Sequence, residues 1–116
     1  MPFTGTEIAE HTLTLEDQFW KHHRPPHNLR DKIREGQRFA NTSIELFFVR
    51  PGFQLLGEWI EEPIAKVTFI RSRMVWNIFW QRADGKWHRY PPCRETDTLA
   101  NALAVITADA DSCFFG

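Results

Sequence analysis

The sequence predicts an α+β domain: an antiparallel meander sheet of about five strands, with an N-terminal and a C-terminal helix packed on one face. Two segments near the chain ends have apolar residues at helical spacing. Between them, three turn signals are flanked by five short segments rich in β-branched and aromatic residues. At 116 residues the chain is expected to form a single domain, residues 1–116.

The first helix is predicted from a capping-box pattern, because Thr4 stands three residues before Glu7. The basic segment "KHHR" places positive charge in its last turn, where it favours the helix dipole. Pro25 and Pro26 end the helix, since proline cannot continue its hydrogen bonding. The predicted apolar stripe contains Ile8, Leu15 and Phe19, with Ala9, Leu13 and Trp20 beside it.

Three hairpins follow, each predicted around a two-residue turn. The turns are Asn41-Thr42, Ser72-Arg73 and Asp84-Gly85. The segment "GFQLLGEWIEE" is expected to be a loop, and Pro91-Pro92 is expected to close the last strand. These turns predict that Phe39 faces Ile44, Arg38 faces Glu45, Phe69 faces Trp76, Val67 faces Ile78, Ala65 faces Trp80, Arg82 faces Trp87 and Trp80 faces Arg89.

The second helix is predicted over "TDTLANALAVITA", with Thr96 or Asp97 as its cap. Its apolar face contains Leu99, Leu103 and Ile106. The short tail "DADSCFFG" ends in two phenylalanines, which are expected to cover part of the sheet face opposite the helices.

The predicted pairing separates the side chains of the sheet into two faces. One is a core face, and Arg82 and Arg89 are expected to lie over the tryptophans at its rim. The opposite face is half apolar, which suits a partner surface or a ligand groove better than open water. The core face contains Ala65, Val67, Phe69, Trp76, Ile78, Trp80 and Trp87. The opposite face contains the candidate ligand-binding residues Lys66, Asn77, Gln81, His88 and Tyr90, beside Phe47, Val49, Ile70, Val75 and Phe79.

Charge and motif content exclude several function classes. The net charge of −1 provides no global attraction to nucleic acid or anionic lipid. No zinc-ligand spacing, phosphate loop, dinucleotide fingerprint or serine elbow is present, so neither a metal nor a cofactor is expected. A local basic patch remains a candidate for anion or nucleic-acid contact, and it would contain Arg50, Arg71, Arg73, Arg82, Lys86 and Arg89.

The two cysteines, Cys93 and Cys113, are expected to be free thiols in a reducing cytoplasm. The opening residues lack the basic start and apolar run of a signal peptide. No segment approaches the roughly 20 apolar residues of a membrane span.

Five segments in this order and spacing resemble a family of small bacterial proteins, the domain of unknown function 3024. They are "KHHRPPH", "IELFFVRP", "EEPIAKVTFI", "VWNIFWQRADGKWHRYPP" and "DADSCFFG". The resemblance extends from about Trp20 to Gly116, and it implies a compact protein with no established activity. The chain departs from the family pattern at Phe48, where an acid is usual, and at Gly85, where a bulkier residue is usual. The positions that carry the resemblance are Arg24, Arg50, Pro51, Ala65, Lys66, Trp76, Trp80, Arg82, Asp84, Lys86, Trp87, Tyr90, Phe114 and Gly116.

Three function classes remain. The leading hypothesis is a non-enzymatic binding module that self-associates, as a homodimer formed through the opposite face. The alternative is a nucleic-acid-binding protein that uses the local basic patch. The third is a small enzyme in which His88 or Asp84 works beside Lys66 and Arg82 as anion contacts.

Overall fold

A computed structural model describes residues 1–29, 31–52 and 57–115. It confirms the α+β class: an antiparallel sheet carries an N-terminal and a C-terminal helix on one face. The helical elements are α1 (Gly5–Leu15), a π-helical turn (Glu16–Trp20), α2 (Lys21–His23), a 3-10 turn (His27–Leu29) and α3 (Leu99–Ala108). The strands are β1 (Arg34–Ala40), β2 (Ser43–Pro51), β3 (Trp59–Ile70), β4 (Val75–Gln81), β5 (Trp87–Arg89) and β6 (Glu95–Thr96).

The N-terminal helical segment begins at the predicted capping box, in which Thr4 and Glu7 bond to each other's backbone. A π-helical turn then adds one residue to the helix and rotates the side chains that follow it. Phe19 and Trp20, which lie in this turn, are both buried, as is Leu15 before it, whereas Leu13 is 72% exposed. Leu13 precedes that turn and lies on the solvent side of α1, as does Ile8, which is 36% exposed, so the predicted positions of these two residues in and beside the apolar stripe were wrong.

The first two hairpins have the predicted pairing. Phe39 pairs with Ile44 around the Asn41 turn, and Phe69 pairs with Trp76 around the turn that follows Ile70. Strand β3 begins at Trp59, so the end of the predicted loop is a strand that pairs with β2. Residues 53–56 of that predicted loop lie outside the described residues.

The third hairpin differs from the prediction by one residue in strand register. Its connection has three residues, because the N–H of Arg82 donates to the carbonyl of Lys86 and the N–H of Gly85 donates to the carbonyl of Arg82. Gly85 has a φ of 78°, as expected for the bulge that follows such a turn. Trp87 therefore pairs with Gln81, where the prediction paired it with Arg82.

Strand β6 extends the same edge of the sheet. The chain leaves β4 after Tyr90, whose N–H still donates to the carbonyl of Ile78, and returns to pair Glu95 with Asn77. Pro91 and Pro92 lie in this interruption, because proline has no N–H to donate to the ladder. The expectation that the two prolines close the last strand was therefore wrong, although they do end β5.

The N-cap of helix α3 lies one residue after Asp97, the nearer of the two predicted caps. Thr98 is the N-cap, and its hydroxyl accepts a hydrogen bond from the N–H of Asn101. Asp109 ends the helix in the left-handed conformation, and its carboxylate accepts hydrogen bonds from the N–H groups of Phe114 and Phe115. Leu99, Leu103 and Ile106 are buried, which confirms the predicted apolar face.

The core lies between the helices and one face of the sheet, which we call the helix face. Trp76 is 4% exposed, which confirms its predicted role in packing. Trp80 is half-buried under the guanidinium of Arg82, 5.7 Å from its ring centroid. The largest fully buried side chains of this core are Leu15, Phe19, Ile44, Leu46, Val67, Ile78, Tyr90, Leu103 and Ile106.

Candidate functional site

The face of the sheet opposite the helices is the first candidate site, and we call it the open face. Side chains alternate along a strand, and paired residues share a face. A bulge between Leu46 and Phe47 shifts the register, so the alternation along β3 changes phase: Trp59 and Glu61 before the bulge share a face with Lys66 and Thr68 after it. The open face therefore contains Arg34, Arg38, Glu45, Phe47, Val49, Trp59, Glu61, Lys66, Thr68, Ile70, Val75, Asn77, Phe79, Gln81, Trp87 and Arg89.

Cationic side chains cover the aromatic rings of the open face. The Arg38 guanidinium lies 4.9 Å from the centroid of Phe47, whose side chain is only 8% exposed. Lys66 lies 5.7 Å from the centroid of Phe79 and 6.0 Å from that of Trp87. Long basic side chains can cover apolar surface with their stems while their charge stays in water. This face is consequently less apolar than the sequence suggested.

Two further rings complete this pattern at the margins of the face. Arg89 lies 6.0 Å from the centroid of Phe79, although the sequence placed it over a tryptophan of the core rim. Arg34 lies 5.1 Å from the centroid of Trp59. Trp59 remains 46% exposed, and it is the most exposed aromatic residue in the described part of the chain.

Charges of both signs lie side by side on the open face. Arg38 donates to Glu45 at 3.0 Å and to Glu61 at 2.5 Å. The bond to Glu61, followed by that to Glu45, raises the pKa of Arg38. Because one cation serves two acids, this group has a net charge of −1. Lys66 and Arg89, on the β3–β5 part of the face, are both cationic.

The predicted ligand-binding residues do not form one site. Lys66, Asn77 and Gln81 share the open face, and Gln81 donates to the carbonyl of Gly85 at 3.1 Å. His88 pairs with Trp80 and therefore lies at the margin of the helix face. Tyr90 is fully buried in the core, and this burial raises its pKa. The expected positions of His88 and Tyr90 on the open face were wrong, because the third hairpin has a different register.

His88 has a structural partner in its own hairpin. Its Nε2 lies 3.0 Å from Oδ2 of Asp84, whose other carboxylate oxygen accepts from the N–H of Lys86. The Lys86 N–H, and then the bond to His88, lower the pKa of Asp84. This pair occupies the turn, so it orders the β4–β5 connection. The Sγ of Cys93 bonds to the carbonyl of Glu95, at 3.4 Å, so the cysteine has a different partner.

The six residues of the predicted basic patch are dispersed over the molecule. Arg71 makes a double hydrogen bond to Glu7 and two bonds to backbone carbonyls near the N-terminus. Arg73 pairs with Glu95 at 3.0 Å, and Arg50 pairs with Glu62. Three of the six are therefore ion-paired and lie apart. Arg82 and Lys86 belong to the β4–β5 turn, and Arg89 lies on the open face.

A cleft at the end of α2 was missed by the sequence interpretation. Its volume is about 500 Å³, and an Arg50–Glu62 ion pair lies in its wall. His23 stacks on Phe115 with centroids 4.7 Å apart and planes at 12°, and burial lowers the pKa of this histidine. The tail therefore packs on the helix side, and its expected cover of the open face was wrong. The lining residues are His22, His23, Arg24, Pro25, Pro26, Leu29, Ile33, Phe48, Arg50, Glu62 and Phe115.

A second cleft, of about 410 Å³, lies between α1, the β3–β4 turn and the N-terminus of α3. His11 meets the Trp76 ring edge-to-face at 5.1 Å, and Phe69 lies 5.0 Å from the same ring. Nothing in the periodicity of α1 indicated that His11 would line a cavity. The lining residues are Glu7, Glu10, His11, Thr14, Phe69, Met74, Trp76, Asp97, Thr98, Leu99 and Ala100.

Both cysteines are free thiols in the structure, as predicted. Within residues 1–29, 31–52 and 57–115, no three His, Cys, Asp or Glu side chains lie close enough to hold a metal ion. None of the helices in those same residues has the length and apolar character needed to cross a membrane.

The architecture defines the class of protein: an α+β domain with a meander sheet, helices on one face and a mixed aromatic and charged surface on the other. A family model described as "Domain of unknown function (DUF3024)" matches residues 3–116, and the chain belongs to this family. The match confirms the resemblance and extends it toward the N-terminus. No curated protein and no solved structure matches the chain.

Proposed function

We propose that this protein is a non-enzymatic interaction module that self-associates as a two-fold homodimer through the open face. The observation that carries the proposal is the one-sided distribution of the covering elements. Helices α1 and α3 and the phenylalanines of the tail pack on the helix face. Among the described residues, none of these elements covers the open face of strands β1–β5.

Charge complementarity favours a second copy of the chain as the partner. The side chains of Arg38, Glu45 and Glu61 sum to a charge of −1, whereas Lys66 and Arg89, and Arg34 at the margin beside Trp59, are cationic. A two-fold axis brings the same patch of each subunit together in opposite orientation. The acidic group of one protomer then meets the cations of its partner, which sets the orientation of the two sheets.

Apolar contact provides the remaining attraction. Trp59 is the exposed aromatic anchor, and Phe79 and Trp87 are half-buried beneath Lys66. An interface of standard size buries about 800 Å² per partner, which a five-stranded face supplies. The cations over the rings must move or be shared across the interface. We therefore expect a reversible dimer rather than an obligate one.

Light scattering at micromolar to millimolar concentration tests this proposal against the chain mass of 13.7 kDa. Arg89→Glu is the informative variant, because it reverses a surface charge on the open face without altering the core. Leu13→Glu is the matched control, since Leu13 is exposed on the opposite side of the molecule. We expect a concentration-dependent doubling of mass that Arg89→Glu abolishes and Leu13→Glu preserves.

Two results would contradict the proposal. The first is a mass that stays at one chain across the whole concentration range. The second is a dimer that survives both Arg89→Glu and Phe79→Glu, which would locate the contact elsewhere. The uninterrupted edge strand β1 is the alternative surface for such a dimer, because it pairs on one side only.

Single-stranded nucleic acid is the second candidate partner, and the position of Trp87 favours it. The observed register places this ring on the open face beside Phe79, Lys66 and Arg89. Aromatic rings with basic neighbours on a sheet are the usual platform for base stacking. Binding of a short single strand should weaken steeply with added salt, and Trp87→Ala should reduce it. Binding that is insensitive to salt would eliminate this candidate.

A further inference from the structure

We infer that the cleft between α1, the β3–β4 turn and α3 binds an organic cation, meaning an ammonium group attached to an apolar body. The cleft lies on the helix side of the sheet, so this site is separate from the open face. Its volume of about 410 Å³ falls within the range of roughly 300–1,000 Å³ that small-molecule sites occupy.

The walls of the cleft are aromatic and sulfur-bearing. Trp76 and Leu99 form the buried floor, and the partly exposed ring of Phe69 forms one wall. Met74 stands at the mouth, where its side chain is 67% exposed. Aromatic faces attract cations through their quadrupole, and a thioether is a soft, polarisable contact for alkyl groups. These walls suit an apolar body that carries positive charge.

The mouth of the cleft has acidic side chains. Glu7, Glu10 and Asp97 contribute three carboxylates, and the cleft lining contains neither lysine nor arginine. Arg71 neutralises Glu7 through two hydrogen bonds of 3.0 and 2.8 Å. Asp97 accepts a bond from the uncharged amide of Asn101, at 2.8 Å. Glu10 has no cationic partner in the part of the chain that the structure describes, so its charge remains uncompensated.

His11 does not supply the missing positive charge. Burial lowers its pKa, the nearby acids Glu7 and Glu10 only partly oppose this shift, and Arg71 adds to it. The lowered pKa favours the neutral ring, which acts as a further aromatic wall in edge-to-face contact with Trp76 and with Phe3. An anionic ligand would meet Glu10 and Asp97, whereas the guanidinium of Arg71, which lies 5.8 Å from the Phe69 ring centroid, is already paired with Glu7. This arrangement therefore favours a positively charged ligand.

Choline is a suitable probe, because its quaternary ammonium carries three methyl groups and a short hydroxyethyl chain. Its uncharged isostere, 3,3-dimethyl-1-butanol, has nearly the same shape and provides the matched ligand control. Two-dimensional NMR of the ¹⁵N-labelled protein measures both affinities and locates the site. We expect saturable shifts at His11, Met74 and Ala100, with choline binding about 2- to 5-fold more tightly than the alcohol.

Glu10→Gln removes the uncompensated charge at an exposed position, so it is not expected to disturb the fold. We expect it to weaken choline binding about 2- to 5-fold, while binding of the alcohol stays constant. Asp31→Asn removes an exposed carboxylate outside the cleft and should change neither affinity. Three results would overturn the inference: no saturable shift up to roughly 100 mM choline, equal binding of the two probes, or shifts that map to another surface.

Discussion

Gly36 lies in the middle of β1, directly beneath the ring of Phe47 on the open face. A methyl carbon added at position 36 would lie 2.9 Å from both Cδ2 and Cζ of that ring. Ordinary contacts of this kind begin near 3.4 Å, so the ring would have to move. It cannot move outward freely, because the Arg38 guanidinium lies over it at 4.9 Å. Gly36→Ala should therefore destabilise the protein.

The expected free-energy change is the difference between two effects. Overpacking of this kind costs about 1–3 kcal/mol. Replacing a strand glycine by alanine stabilises by roughly 0.5–1 kcal/mol, because the unfolded chain loses conformational freedom. The net loss of unfolding free energy for Gly36→Ala should thus lie between about 0 and 2.5 kcal/mol.

A double-mutant cycle measured by urea unfolding isolates the contact between Gly36 and Phe47. In a Phe47→Ala background the obstructing ring is gone, so Gly36→Ala should become neutral or stabilising, by up to about 1 kcal/mol. The same destabilisation in both backgrounds would refute the steric argument. Stabilisation by Gly36→Ala in the parent protein would refute it as well.

Three other perturbations test separate elements. Trp76→Ala should lower the unfolding free energy by about 3–5 kcal/mol, because it empties the centre of the core; a loss below about 1 kcal/mol in denaturant would mean that the ring faces solvent. Thr98→Ala should cost about 0.5–2 kcal/mol by removing the α3 cap, whereas an equal loss from Thr96→Ala alone would contradict this assignment. The Arg71 hydrogen bonds lower the pKa of Glu7 to about 2 from 4.5. This carboxylate therefore adds stability above pH 4.5 that is lost as the pH falls toward 2. Thermal unfolding of Glu7→Gln should lack that part of the acid transition.

Local signals were sufficient for most of the fold. The capping box at Thr4, the left-handed turn at Asn41 and the apolar spacing of α3 each act within a few residues. Each was therefore predictable from the sequence. The π-helical turn was not predictable, because no residue type marks an inserted turn in a helix. Burial of both Phe19 and Trp20 against the sheet favours it.

The two candidate clefts could not be predicted from local sequence patterns, for a different reason. Each one is formed by segments that are distant in sequence, such as His23 and Phe115, or His11 and Met74. Pairings of this kind depend on how the helices lie across the sheet. The carboxylate of Asp109 directs the tail toward α2 through the N–H groups of Phe114 and Phe115, and only the folded chain shows that path.

The third hairpin shows how a single residue of register decides the character of a surface. A two-residue turn at Asp84-Gly85 would pair Arg89 with Trp80 and direct a guanidinium toward the helices, where burial of an unpaired charge is costly. The observed three-residue connection pairs His88 with Trp80 and brings Tyr90 into the core, in contact with Phe114 at 4.7 Å between centroids. Arg89 then faces solvent, and Trp87 moves to the open face beside it. The same shift that relieves the core thus creates the aromatic and cationic surface on which we place the partner.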